Sequence, residues 1–256
     1  MAVLLLLPAA AAGQQSELKV LSTRPHVTQA YLLLRPAERP MASVILFAGG
    51  AGQLNLTAAG VGGLKGNFLV RTRQLFAEQG FLVAVPDAPS DRGPGGLGRF
   101  RSSREHAEDI KAIIADLRAI AEVPVWLVGT SMGSVSAANA GARLREGGPD
   151  GVVLTSSVTR PSRDMGESVD DVRVKDIRIP TLVVHHRDDR CPISRYQDAV
   201  FLVKELRTAP RRELLSFDGG APPQSEPCEA RSAHGYLGLE RQVVEAIAGW
   251  IKATTK

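Results

Sequence analysis

Along this chain, short unbroken apolar runs alternate with longer stretches in which apolar residues return every three or four positions. The runs are AYLLL (30–34), SVILF (43–47), FLVAV (81–85), VWLVG (125–129), GVVLT (151–155), TLVVH (181–185) and ELLSF (213–217). Each is continuous, as expected of a strand covered on both faces. Between them the spacing predicts helices. NFLVRTRQLFAEQG (67–80) opens on Asn67, a helix-capping residue type, and stops at Gly80. SSREHAEDIKAIIADLRAI (102–120) opens with Ser102 and Glu105 at capping-box spacing. LERQVVEAIAGWIK (239–252) sets Val243, Val244, Ile247, Trp250 and Ile251 on one stripe. This repetition predicts an α/β fold, a mostly parallel, doubly wound sheet of about seven to eight strands with helices on both faces. Ligands of such sheets sit beyond the carboxyl ends of the strands, so chemistry is expected in the loops that follow them.

Composition narrows the picture. A chain of 256 residues, 44% hydrophobic, can bury a full core and is short enough to be one domain. Its 31 basic and 27 acidic residues leave a net charge of only +4. The Lys and Arg are scattered rather than gathered with aromatics, so no nucleic-acid partner is expected. The N-terminal MAVLLLLPAAAAGQQ is a short apolar stretch followed by small residues, with Ala10 and Ala12 spaced as an A-x-A cleavage site. Residues 1–12 therefore read as an export signal or its remnant, and 13–256 as a single domain in the periplasm or outside the cell; a cytoplasmic location stays open. No run reaches 18 apolar residues, so no transmembrane segment is expected. Only about two dozen residues separate VVLTSSV from TLVVHH, which leaves no room for a large helical lid.

The strongest chemical signal is WLVGTSMGSVSAANAGAR, where a strand runs into Gly129-Thr130-Ser131-Met132-Gly133 and then into a small-residue helix. This is the pattern of a nucleophile elbow, with serine on a sharp strand-to-helix turn and flanking glycines that remove Cβ atoms from a crowded bend. A serine hydroxyl is a weak nucleophile and needs a neutral imidazole to take its proton. Of five histidines, His26 precedes the first strand read here and His106 sits within a helix, while His185 and His186 end a strand; all four read as surface or packing residues. His234, in RSAHGYLGLE between the last strand and the closing helix, is the candidate base, with Gly235 allowing close approach.

The order of an elbow serine, an aspartate after a later strand and HGYLGLE before the final helix resembles the α/β-hydrolase superfamily, over residues 28–253. Within it the chain is similar to small, lidless, exported esterases and dienelactone hydrolases, although Ser131 stands where the dienelactone enzymes proper use cysteine. The resemblance implies a triad of Ser131, an acid and His234. It implies an oxyanion hole built from the amide of Met132 and one from the loop ILFAGGAGQLNL. Ala51 is the first choice there and Gly50 the second, because the usual His-Gly pair is replaced by Ala48-Gly49-Gly50. The family's acid loop commonly reads H-G-x-x-D-x-x-V-P, and its two halves disagree here: counting forward from His185-His186 selects Asp189, counting back from Pro192 selects Asp188. Asp189 is favoured because the strand holds the upstream register, and Asp188 is kept as the alternative acid.

A triad would bring the acid loop and the histidine loop together, and with them Cys191 and Cys228. The expectation is a disulfide closing roughly 37 residues, for which the chain-entropy account gives on the order of 4 kcal/mol. Two free thiols are the alternative, and a zinc site from these cysteines and nearby histidines is a further one, although no C-x-x-C or H-x-x-x-H spacing supports it. The resulting expectation is a hydrolase that needs no metal or organic cofactor and acts on a small ester-type substrate. Open beside it are an exported, non-catalytic binding or scaffold protein on the same fold, and a hydrolase of a thioester, amide or C–C bond. The acyl pocket is expected to draw on loops such as APSDRGPGGLGRFR (88–101).

Overall fold

The computed structural model describes residues 16–161 and 166–255, so the expected export signal at 1–12 lies outside the described residues. In chain order the elements are β1 (Ser16–Arg24), β2 (Val27–Leu34), β3 (Ala42–Phe47), β4 (Leu56–Thr57), β5 (Gly60–Val61), α1 (Phe68–Glu78), β6 (Phe81–Pro86), α2 (Arg104–Ile120), β7 (Val125–Thr130), α3 (Gly133–Arg143), β8 (Gly151–Thr155), β9 (Thr181–His186), α4 (Tyr196–Glu205), β10 (Arg212–Phe217) and α5 (Glu240–Thr255). Eight strands form one sheet in the order β1-β2-β6-β3-β7-β8-β9-β10, and β4 and β5 make a separate small hairpin. The two pairings β1 with β2 and β2 with β6 are antiparallel, and all those from β6 to β10 are parallel.

Continuous apolar strands follow from two cores, one on each face of the sheet. In β3, Val44 and Leu46 pack with Phe68 and Leu69 of α1 and Val243 and Ile247 of α5, whereas Ile45 and Phe47 pack with Ile110 and Ile113 of α2 and Val135 of α3. The predicted α5 stripe is buried at all five positions. The α1 start is also as expected, with Asn67 Oδ1 accepting from the amide of Leu69. At α2 the cap shifts by one residue: Ser103, not Ser102, accepts from the amide of His106, and the Ser102 amide instead donates to Glu167.

Two elements escape the apolar pattern. The edge strand β1 has no fully buried residue, and its SELKVLSTR mixes polar and apolar side chains on both sides. It is tied down by Arg24, whose guanidinium grips both carboxylate oxygens of buried Asp109 on α2 at 2.9 and 3.0 Å. Because β1 precedes it, His26 occupies the turn between two sheet strands, with a left-handed φ of 59°. The second element, α4, buries only Ala199 and Leu202 and leaves Phe201 exposed, so its helical period is weak. Between β8 and β9 the described residues hold only two single 3-10 turns, at Val169–Asp171 and Val174–Asp176. No described helix is long and apolar enough to cross a membrane.

Candidate active site

Ser131 sits between the end of β7 and the start of α3 with a φ of +54°, a left-handed conformation that costs a non-glycine residue about 1–3 kcal/mol. Its neighbours are glycine for lack of space. A Cβ on Gly129 would stand 2.2 Å from the Gly133 carbonyl oxygen, one on Gly133 2.1 Å from that of Phe47, and one on Gly49 2.8 Å from the Cβ of Ser131. The bend is held by its own backbone: the Ser131 amide donates to the Thr155 carbonyl, and the Ser131 carbonyl accepts from the amide and hydroxyl of Ser134. Met132, the next residue, is buried at the N-terminus of α3, where amides lack helical acceptors.

The loop after β9 separates the two aspartates. Asp189 is buried, and its Oδ2 accepts from Nδ1 of His234 at 2.7 Å and from the Ser194 hydroxyl at 3.3 Å, while Oδ1 accepts the Cys191 amide at 2.9 Å. Asp188 is exposed; its amide donates to Nδ1 of His186. Burial by itself would raise the Asp189 carboxyl. The hydrogen bonds from His185 and His234, the positive charge available on His234 and the Cys191 amide outweigh it and hold the group well below the usual carboxylate range. His185 joins the cluster: its buried Nε2 donates to the Ser194 carbonyl at 3.1 Å and lies 3.4 Å from Asp189 Oδ2. At sequence level His185 reads as a packing residue, and only its place at the end of the strand before the acid hinted at this contact.

His234 lies in a 3-10 turn whose shape is enforced from several sides. Ser232 Oγ accepts its amide, Ser156 Oγ donates to its carbonyl, and the next carbonyl, of Gly235, accepts from Arg71. A Cβ on Gly235 would fall 2.0 Å from the Ala230 carbonyl oxygen. Tyr236 follows at φ +57° and donates its hydroxyl to the Val184 carbonyl of β9. The imidazole is 4% exposed, and its Nε2 has no hydrogen-bond partner.

Ser131 and His234 line a common cavity of about 470 Å³ with Gly49, Gly50, Leu64 and Phe68. Gly50, the second choice for the oxyanion loop, is in this lining. Ala51, the first choice, is not; it is exposed and gives its carbonyl to the amide of Leu97. None of residues 88–101 lines the cavity either, so the loop expected to shape the acyl pocket packs behind the site. The wider cleft of about 610 Å³ between α2 and α3 is lined by neither a serine nor a histidine. Cys191 and Cys228 form a disulfide with Cα atoms 4.6 Å apart, and Cys228 belongs to the cavity wall. The bridge consumes both thiolates that the zinc alternative required, and the described residues contain no cluster of three or more His, Cys, Asp or Glu placed to hold a metal.

Known proteins bear on this arrangement in three ways. No curated protein matches the chain in sequence. Solved structures match closely in fold at low identity. An esterase from Pyrococcus furiosus superposes with a TM-score of 0.66 at 13% identity over 95% of this chain and 94% of its own. A lidless α/β serine hydrolase from Xanthomonas campestris gives 0.61 at 17% over 91% and 95%. A dienelactone hydrolase from Anabaena variabilis gives 0.62 at 14% over 95% and 99%. The family profile described as serine aminopeptidase, S33, matches residues 65–207, a span that contains Ser131 and Asp189 and ends before His234. With more than half of its length matched, and with the eight-stranded sheet of these hydrolases around it, the chain belongs to the serine aminopeptidase S33 family of α/β hydrolases.

Proposed function

We propose that the protein is a serine hydrolase that cleaves an ester-type bond of a small substrate through an acyl-enzyme on Ser131. The observation that carries this reading is the His234 imidazole. Its Nδ1 proton is engaged by an ionised Asp189, so Nε2 holds the lone pair, and that nitrogen is free of other partners in a cavity shared with an elbow serine. In the first half-reaction Nε2 takes the Ser131 proton as Oγ attacks the carbonyl carbon. The tetrahedral oxyanion is held by the amides of Met132 and Gly50, and the Nε2 proton passes to the leaving alcohol as the C–O bond breaks. In the second, Nε2 deprotonates water, which attacks the acyl carbon, and the proton returns to Ser131 as the carboxylic acid departs. Asp189 orients the ring and stabilises its cation in both halves.

Support for an ester comes from the esterases among proteins of this fold, and support for a small substrate from the cavity volume. The test is hydrolysis of p-nitrophenyl esters of increasing chain length. Ser131→Ala should lower kcat/KM by about 10⁴-fold or more, and equal rates for the two proteins overturn the assignment. The family's description as serine aminopeptidases favours an amide as the rival bond; aminoacyl p-nitroanilides in the same assay separate the two. A fluorophosphonate that labels Ser131 excludes the non-catalytic reading. The disulfide supports export to an oxidising compartment, the reading its N-terminal residues suggest.

A further inference from the structure

Behind the loop that follows β3 lies a buried cation that the reaction does not touch. Arg101, 1% exposed, comes from the loop between β6 and α2. Its Nη2 donates to the carbonyls of Ala48 and Gly50 at 3.0 and 3.1 Å, and its Nη1 to the Ser136 hydroxyl on α3 at 2.8 Å. The guanidinium thus ties the oxyanion loop to the helix that begins at the nucleophile. Gly52, at φ +67°, is glycine because a Cβ there would stand 2.4 Å from Nη2. The neighbouring loop adds a second clamp: the Leu97 amide donates to the Ala51 carbonyl, and a Cβ on Gly96 would lie 2.3 Å from that oxygen.

The contacts of Arg101 act on peptide planes. Every peptide of the loop is trans, so each carbonyl points opposite to the amide that follows it. Arg101 holds the carbonyls of Ala48 and Gly50, and the Gly52 amide holds that of Gly49 at 3.2 Å. Three successive planes are thereby set, and with them the directions of the Gly49, Gly50 and Ala51 amides. In a loop this rich in glycine those planes would otherwise rotate at little cost. A cation on the carbonyl ends also polarises the amides as donors.

The charge itself is maintained. Burial lowers the Arg101 pKa to about 10, partly offset by Glu167, so the group stays protonated at neutral pH. Glu167 accepts the backbone amides of Arg101 and Ser102, which anchors the residue from its main chain. Ser136 Oγ, having received Nη1–H, is 2.9 Å from Nε2 of buried His106 and donates to it. Burial and the charges of Arg101, Arg24 and Arg92 push the His106 pKa down to about 3, which keeps this ring a neutral acceptor.

We infer that Arg101 is a positioning residue of the hydrolytic site, holding the two peptide planes that carry the Gly49 and Ala51 amides and so fixing from both sides the Gly50 amide that faces the oxyanion. The inference rests on the acyl-transfer reading above, and its test separates the two. Arg101→Lys, Arg101→Met and Ser136→Ala are compared with the unaltered protein for ester turnover and for inhibition by a trifluoromethyl ketone, which forms an oxyanion on the serine without being turned over. A lysine ammonium lacks the planar fork that spans two carbonyls and a hydroxyl. Both Arg101 variants should lose about 10²-fold in kcat with KM within about two-fold, and the ketone's Ki should rise in proportion to the loss of kcat/KM. Ser136→Ala should show the same pattern at about ten-fold, and it decides the matter if the Arg101 variants fail to give a native circular dichroism spectrum. Folded variants with unchanged kcat, or with kcat lost while the Ki stays constant, overturn the role of Arg101. Unaltered protein that cleaves no ester yet binds the ketone defeats the ester reading alone, and the Ki values still decide for Arg101.

Discussion

At the scale of single residues, one position along the chain separates a solvated aspartate from a buried one. Asp189 receives His234, Ser194 and the Cys191 amide, while Asp188 faces water. Asp189→Asn should cost about 10⁴-fold in kcat, because an amide no longer favours the Nδ1-H tautomer. Asp188→Asn should stay within about two-fold, and the same ester assay reads both. The carboxyl's depressed pKa also gives stability a sign: its contribution is full above the ordinary value near 3.9 and is lost as pH falls toward its lower value in the fold. Thermal denaturation should therefore show the unaltered protein ahead of Asp189→Asn at neutral pH, with a gap that narrows below about pH 4. Both aspartates were visible in the sequence. Choosing between them depended on counting from the strand, whose pairing is regular, rather than from the irregular loop beyond it. Arg101 left no such trace, since its importance comes from carbonyls about fifty positions away.

Among the elements, legibility follows burial. The strands β2, β3 and β6 to β9 read as apolar runs because both faces are covered, and α5 reads as a stripe because one face is. The edge strand β1 is held by other means. Arg24 bridges Asp109, whose side chain is fully buried, and also reaches Asp91, so the strand is fastened to α2 by an ion pair more than by apolar area. Arg24→Met would leave the Asp109 carboxylate buried without its cation. Stability should fall by about 3–5 kcal/mol, measured by urea unfolding, and the double variant Arg24→Met/Asp109→Leu should recover most of the loss. A pair invisible to hydrophobic periodicity explains why the pattern begins at β2. The weak stripe of α4 has a related cause: a helix that buries two side chains has little period to display.

For the molecule as a whole, the decisive events are long-range. The loop after β9 and the loop before α5 are separated by β10 and α4, yet they meet at the Asp189–His234 contact and are joined by the Cys191–Cys228 bridge beside it. A bridge spanning 37 positions restricts the unfolded chain by about 4 kcal/mol on the entropic account. The Cys191→Ser/Cys228→Ser variant should unfold at correspondingly lower denaturant. Its kcat should also fall, because acid and base loops both lose a fixed end; full activity at reduced stability would show that the bridge serves stability alone. By itself the sequence determined the α/β class, the strained serine between strand and helix and the candidate histidine before the last helix, and it favoured Asp189 over Asp188. These are recorded in local patterns, namely residue spacing, glycines at crowded bends and motif order. Tertiary structure alone decided that Cys191 and Cys228 pair, that Gly49 and Gly50 line the cavity while Ala51 does not, and that the loop at 88–101 packs behind the site rather than lining it. Those outcomes depend on distances between segments remote in the chain, which are set only when both faces of the sheet are packed.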